Sequence, residues 1–225
     1  NTIEIAESYG ARVVKWYGCN KGNKPDGEFM DFSAARNKCL DYCTGTHILT
    51  IDCDEVLEAD IEELKQFDGK ALSIVCVSDY TGEMHRQPRL YRNDPMLRWI
   101  GAAHNYLPIA GQPSNHIIKY YRNEQKKRDP DRTLRILKHE VRRYGRPRDL
   151  YYLSKEYYKR QDWKRAKKYL KRYMPKSNFM AEKADALLLL ANCYVRLGDN
   201  NSARNACMAA IAINPQFYEA LRFMA

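Results

Sequence analysis

The chain has 225 residues, of which 44% are hydrophobic and 17 are tyrosine, so it has room for one large domain or two small ones of ordinary globular composition. No apolar run reaches the ~20 residues that a bilayer-spanning helix needs. The seven cysteines are odd in number, scattered and without CxxC spacing, which argues against a zinc site and fits reduced thiols in a cytoplasmic protein.

The formal net charge is +10. It is concentrated between Lys119 and Lys176, in the runs Lys126–Arg128, Lys164–Lys168 and Lys171–Arg172. A basic half suggests contact with an anion: nucleic acid, a membrane surface or an acidic acceptor. A solvated helix face is the plainer alternative, and no nucleic-acid motif accompanies the charge.

In chain order, Thr2 to Tyr9 reads as the end of a helix closed by Gly10, so the chain reads as a fragment. Ala11 to Trp16 (ARVVKW) is strand-like, and Tyr17 to Asp31, with Gly18, Gly22, Pro25 and Gly27, is a loop. Asp31 or Ser33 can cap a helix running to about Cys43 and ended by Gly45. Thr46 to Glu55 (THILTIDCDE) follows. Its apolar run Ile48, Leu49, Ile51 has the pattern of a strand buried on both faces, and it stops at Asp52, Asp54 and Glu55. Unpaired carboxylates are too costly to bury, so these three are expected at the strand's carboxyl end, facing water, a metal or a ligand. Hard cations such as Mg²⁺ or Mn²⁺ favour such oxygen donors. An acidic turn capping a helix over 58–67 is the alternative. Ala71 to Ser78 is an apolar strand; Gln87 to Arg92, Leu97 to Ile100 and Ile117 to Tyr121 are shorter ones. Helices and strands alternate early and strands dominate later, which argues for a mixed sheet.

From Pro130 the pattern is helical only. A helix starts at Asp129–Pro130 and ends at Gly145, with Leu134, Leu137 and Val141 on one face. A repeat follows: Leu153, Tyr157, Ala166 and Leu170 match Leu190, Tyr194, Ala203 and Cys207 at a spacing of 37 residues (166 to 203). That is near the ~34 of a tetratricopeptide unit. A plain helical bundle is the alternative.

Three segments, NTIEIAESYGARVV, DFSAARNKCLDYCTGTHILTIDCDEVL and RLYRNDPMLRWIGAAHNYL, resemble family 2 glycosyltransferases of the GT-A fold. The helical tail resembles the tetratricopeptide repeats that bacterial and phage members of that group often carry. The resemblance implies an α/β fold: a GT-A-like mixed sheet with its first strand missing over residues 1–125, then an all-α repeat region over residues 126–225. It implies a metal-dependent transfer of sugar, with inversion expected, from a nucleotide-diphosphate donor to a glycan, lipid-linked or protein acceptor. Asp52 and Asp54 match the DxD element. Asp52 then meets the ribose or the metal, Asp54 is the direct ligand of Mg²⁺ or Mn²⁺, and the cation offsets charge growing on the departing diphosphate. Arg36 and Asn37 match an RN pair on the nucleotide side, where Arg36 offers a fixed fork of donors. Its alternative is a structural ion pair to the acidic loop. Trp99, Gly101 and His104 match a W-x-G-x-x-H segment, in which His104 is a metal or phosphate ligand or a satisfied core histidine.

Three departures stand out. Asn105 replaces a Glu that many relatives place after the His, and Asn cannot act as a general base; Asp79, Glu83 and Glu55 are substitutes without a ranking. Tyr120 and Tyr121 occupy the stretch where relatives often carry a His, with His116 a few residues early, so a third metal ligand is unassigned. The first strand and its GSTDNT turn are absent, so the isolated chain is expected to bind nucleotide sugars poorly. The alternative function is a repeat module for protein binding or homo-oligomerisation beside an inactive transferase half. The expected location is cytoplasmic, with peripheral association at the inner membrane surface; nucleic acid is the least favoured partner.

Overall fold

The computed structural model describes residues 2–121 and 129–224. The chain divides into two compact units, Asn1–Ile100 with Asn105–Asp129, and Gly101–His104 with Pro130–Ala225. The boundary expected between residues 125 and 126 and the basic run Lys126–Arg128 lie outside the described residues.

The elements of the first unit are α1 (Thr2–Ser8), α2 (Phe32–Leu40), β1 (His47–Leu49), β2 (Glu55–Glu58), α3 (Ile61–Gln66), β3 (Ala71–Ser78), β4 (Met84–Arg92) and β5 (Gln112–Tyr120). The apolar β3 is the central strand, with Ile74 and Cys76 fully buried. It pairs antiparallel with β4 on one edge and parallel with β5 on the other; β1 and β2 add antiparallel to β4 and β5, giving the order β1-β4-β3-β5-β2. Successive residues of a strand point to opposite faces. Ala71 therefore packs with Ile48, Tyr91 and Trp99 against Leu40 of α2, whereas Leu72 packs with Leu90 against Leu64 of α3. The result is a mixed sheet with a helix on each face.

The register between β3 and β4 slips between Leu72↔Leu90 and Ser73↔Pro88, which leaves Arg89 as the extra residue of a bulge. Pro88 has no N–H to give the ladder, so a bulge is a natural place for it.

Several sequence expectations change here. Ala11 to Trp16 forms no strand, because no other strand pairs with it among the described residues. Leu97 to Ile100 contributes only an isolated bridge, Ile100↔Tyr106. The strand within Thr46–Glu55 is short and lies at the sheet edge. Ile48 is buried, but Leu49 and Ile51 are 37% and 40% exposed. An edge strand has neighbours on one side only, so apolar content alone does not decide its burial.

The second unit holds α4 (Arg132–Arg143), α5 (Pro147–Lys159), α6 (Trp163–Tyr173), α7 (Met180–Arg196), α8 (Asn200–Ile213) and α9 (Tyr218–Met224). The pairs α5/α6 and α7/α8 are helical hairpins. Leu153, Tyr157, Ala166 and Leu170 are buried in the first hairpin, and Leu190, Ala203 and Cys207 in the second. The repeat extends to the turns. Gln161 and Gly198 both take left-handed backbone, with φ of 60° and 79°. Asp162 N donates to Tyr157 O at 3.0 Å and Asp199 N to Tyr194 O at 3.0 Å, closing both lead helices with the same motif. Each aspartate then caps the next helix, accepting from Arg165 N and Ser202 N, both at 3.0 Å. Alanines at 166 and 203 let the paired helices approach closely.

Candidate functional site

The acidic turn after β1 is built from the side chains below it. In α2 the Asp31 carboxylate accepts from Ala34 N at 2.8 Å and fixes where the helix begins. That sets Arg36 and Asn37 about one and a half turns on. Arg36 Nη2 donates to Asp52 Oδ2 at 2.6 Å, and its guanidinium lies over the Trp99 ring, 4.7 Å from the centroid. Asn37 exchanges two bonds with the Trp99 backbone: Nδ2 donates to the carbonyl at 3.0 Å, and Oδ1 accepts from the N–H at 2.8 Å. The adjacent Arg36 and Asn37 thus meet Asp52 and Trp99, which are distant in sequence, at one place.

The other two carboxylates behave differently. Asp54 is exposed, and its backbone carbonyl accepts from Tyr121 N at 2.9 Å. Glu55 turns inward, against the expectation that all three face outward. Its Oε2 accepts from Asp52 N at 2.7 Å, and both its oxygens accept from Arg89. A carboxylate can be buried when it is paired in this way, and the outward reading considered only unpaired ones. Glu55 is among the substitutes for a general base; here it holds the turn from inside. Asp79 and Glu83 are exposed at the β3–β4 turn, and His116 lies 3.6 Å from Glu63.

Among the described residues, no group of three or more His, Cys, Asp or Glu side chains is arranged to hold a metal ion. The turn offers Asp52, already engaged by Arg36, and Asp54. Two carboxylates fit a hard cation when substrate phosphates supply further oxygens. Two concavities of this unit lie elsewhere, one along Glu58–Phe67 and Pro113–Ile117, the other between Arg12, Trp16 and the Ala35–Cys43 stretch.

His104 belongs to the helical unit. Its backbone is left-handed, φ 50°, and its ring stacks on Tyr152 with centroids 3.9 Å apart and 8° between planes. Arg148 Nε donates to its carbonyl at 3.2 Å. Burial, helped by Lys159, Arg148 and Lys155, lowers its pKa from the ordinary 6.5 to about 4, so the ring is neutral near pH 7. Beside it, α5 and α7 are tied by Arg148–Glu182 at 3.4 Å, by Lys155–Asp185 at 3.6 Å and by the Tyr151 hydroxyl, which donates to Asp185. Burial first, then Asp185, pushes the Tyr151 hydroxyl pKa far up, so it stays a donor. These α5–α7 links are not legible in the sequence; only the 34-residue separation shared by Arg148–Glu182 and Tyr151–Asp185 hints at them.

A family model described as tetratricopeptide repeat matches residues 112–222. A solved structure titled "Crystal structure of MamA" is similar at 25% identity, covering 40% of this chain and 52% of that chain, with a TM-score of 0.38. This chain therefore spans about half the length of that structure. No curated protein matches. Among the described residues no helix is long and apolar enough to cross a membrane.

Proposed function

We propose that the chain works as a docking or oligomerisation module whose helical unit meets a protein partner or a second copy. The tetratricopeptide-repeat match and the repeated hairpin turns support this. One observation carries it. The last helix is firmly seated, with Ala220 fully buried and Cys207 Sγ donating to Ala220 O at 3.2 Å. Yet Tyr218 and Leu221 of α9 are 66% and 45% exposed, and Met208 of α8 is 55% exposed. A stacked array buries apolar faces between neighbours, so an exposed set on an ordered helix pair is suited to receive another surface. Sedimentation velocity on the intact chain tests this. Association that rises with concentration and is lost in Leu221→Glu is expected. A chain that stays monomeric, and whose Leu221→Glu form captures the same proteins as the parent, overturns the reading.

A second reading is a glycosyl transfer from a nucleotide-diphosphate sugar, favoured by the convergence of Arg36, Asn37, Asp52 and Trp99. In it Asp54 and Asp52 would be the residues to hold Mg²⁺ or Mn²⁺, which would supply positive charge beside a departing diphosphate. Arg36 would leave Asp52 for the diphosphate, while Asn37 holds the Trp99 backbone beside it. Metal-dependent hydrolysis of a nucleotide sugar that disappears in Asp54→Ala is the expected result. Hydrolysis that persists in Asp54→Ala removes the metal role from that residue.

A further inference from the structure

Two chain reversals meet at one end of the helical unit, where Lys176 Nζ donates to Gly145 O at 3.2 Å. The first, between α4 and α5, exposes Arg142, Arg143 and Tyr144. The second, between α6 and α7, exposes Arg172, Lys176, Phe179 and Met180, with Lys171 beside them. The acids at this end are withdrawn. Glu140, Asp149 and Glu182 have side chains 7%, 4% and 9% exposed, and each is paired with Arg146 or Arg148. No ion pair engages Arg142, Arg143, Lys171, Arg172 or Lys176 among the described residues. The exposed charge here is therefore positive.

Cations in the last turns of α4 and α6 have an ordinary use, since they complement the negative ends of those helices. That use does not account for the apolar tips. Tyr144, Phe179 and Met180 are 53%, 62% and 56% exposed. Phe179 immediately precedes an ordered helix and its N–H donates to Ser177 Oγ at 3.3 Å, so its backbone is held while its ring projects. Apolar tips ringed by cations suit one environment well: the interface of an anionic bilayer, where the tips enter the headgroup–acyl boundary and the cations meet lipid phosphates. A single-stranded nucleic acid would want a basic groove lined by stacked aromatic rings, and this end offers projecting turns instead.

We propose that this end of the helical unit docks on an anionic lipid surface through Arg142, Arg143, Arg172 and Lys176, with Phe179 and Met180 entering the interface.

Flotation of the intact chain with vesicles tests it. Vesicles of phosphatidylcholine carrying a fraction of phosphatidylglycerol should carry the chain up, and pure phosphatidylcholine vesicles should leave it behind. Added salt should release it. Arg142→Ser and Arg172→Ser should each weaken partitioning ~5-fold, the equivalent of ~1 kcal/mol per cation. Both positions are exposed, and an unchanged circular dichroism spectrum checks that the fold is kept. Phe179→Trp should add emission that shifts to the blue on anionic vesicles alone. Equal partitioning to both vesicle types, cation variants that float like the parent, or an added Phe179→Trp emission that stays unshifted would each overturn the proposal. So would binding to RNA or DNA at the same salt without binding to vesicles.

Discussion

Glu55 and Arg89 form a bidentate ion pair, with Nη1 to Oε2 at 3.0 Å and Nη2 to Oε1 at 2.5 Å. Their side chains are only 5% and 6% exposed. The bulge at Arg89 takes this residue out of the pairing with β3, and Glu55 simultaneously accepts from Asp52 N. The pair therefore ties β4 to the backbone of the acidic turn. Removing one member leaves the other charge buried, so Glu55→Gln should cost about 3–5 kcal/mol in a chemical denaturation series. Replacing both by apolar residues of similar volume should recover much of that loss. A Glu55→Gln chain as stable as the parent would show that water reaches Arg89.

Arg36 and Asn37 are neighbours with different uses. Asn37 gives both of its side-chain bonds to the Trp99 backbone, so it stands in for a strand partner that the 97–100 stretch lacks. Asn37→Ala removes two bonds in a partly buried place and should destabilise the chain by about 2 kcal/mol. Arg36→Ala breaks a pair whose Asp52 side is 39% exposed, and should cost less than about 1 kcal/mol. The comparison of denaturation midpoints decides the matter. Equal losses would mean that Arg36, too, is chiefly structural.

Legibility from the sequence tracks the range of the interaction. The helical repeat is plain because its signals are local: Leu, Tyr and Ala recur within each hairpin at a fixed spacing. The convergence of Arg36, Asp52 and Trp99 is suggested by the resemblance of three segments, not by spacing. The inward turn of Glu55 is not legible, since its partner lies 34 residues away and is aimed by a bulge. The apolar run Ile48, Leu49, Ile51 misleads for a related reason. Which face of a strand is covered depends on what packs there, and β1 has a single strand neighbour.

The His104 pKa gives the helical unit a pH response. In the unfolded chain the ring titrates near its ordinary 6.5, and in the folded one at about 4, lowered first by burial and then by Lys159, Arg148 and Lys155. Between those values the unfolded state binds more protons, so stability falls as pH drops from about 6.5 towards about 4. The residue as a whole is exposed even though its ring is covered on one face by Tyr152, so solvent screening should keep the loss small. His104→Phe keeps an aromatic ring on Tyr152 and removes the titration. Urea midpoints of the variant should be flatter than the parent's across that window. An identical slope in both would place the proton uptake elsewhere.

The two hairpin turns supply an internal control. Gln161 and Gly198 occupy the same position of the same helix-closing motif, and both are left-handed, yet only one is glycine. A side chain in that conformation costs roughly 1 kcal/mol, partly offset because glycine frees the unfolded chain. Gln161→Gly should therefore stabilise the helical unit by about 0.5 kcal/mol. Gly198→Ala has open space for its methyl group, with nothing within 4 Å of the added Cβ, so its penalty is conformational alone. It should destabilise by about 1 kcal/mol. Thermal or urea unfolding of both variants checks the pair. If the two substitutions shift stability in the same direction, the turns are not equivalent and the repeat does not extend to them.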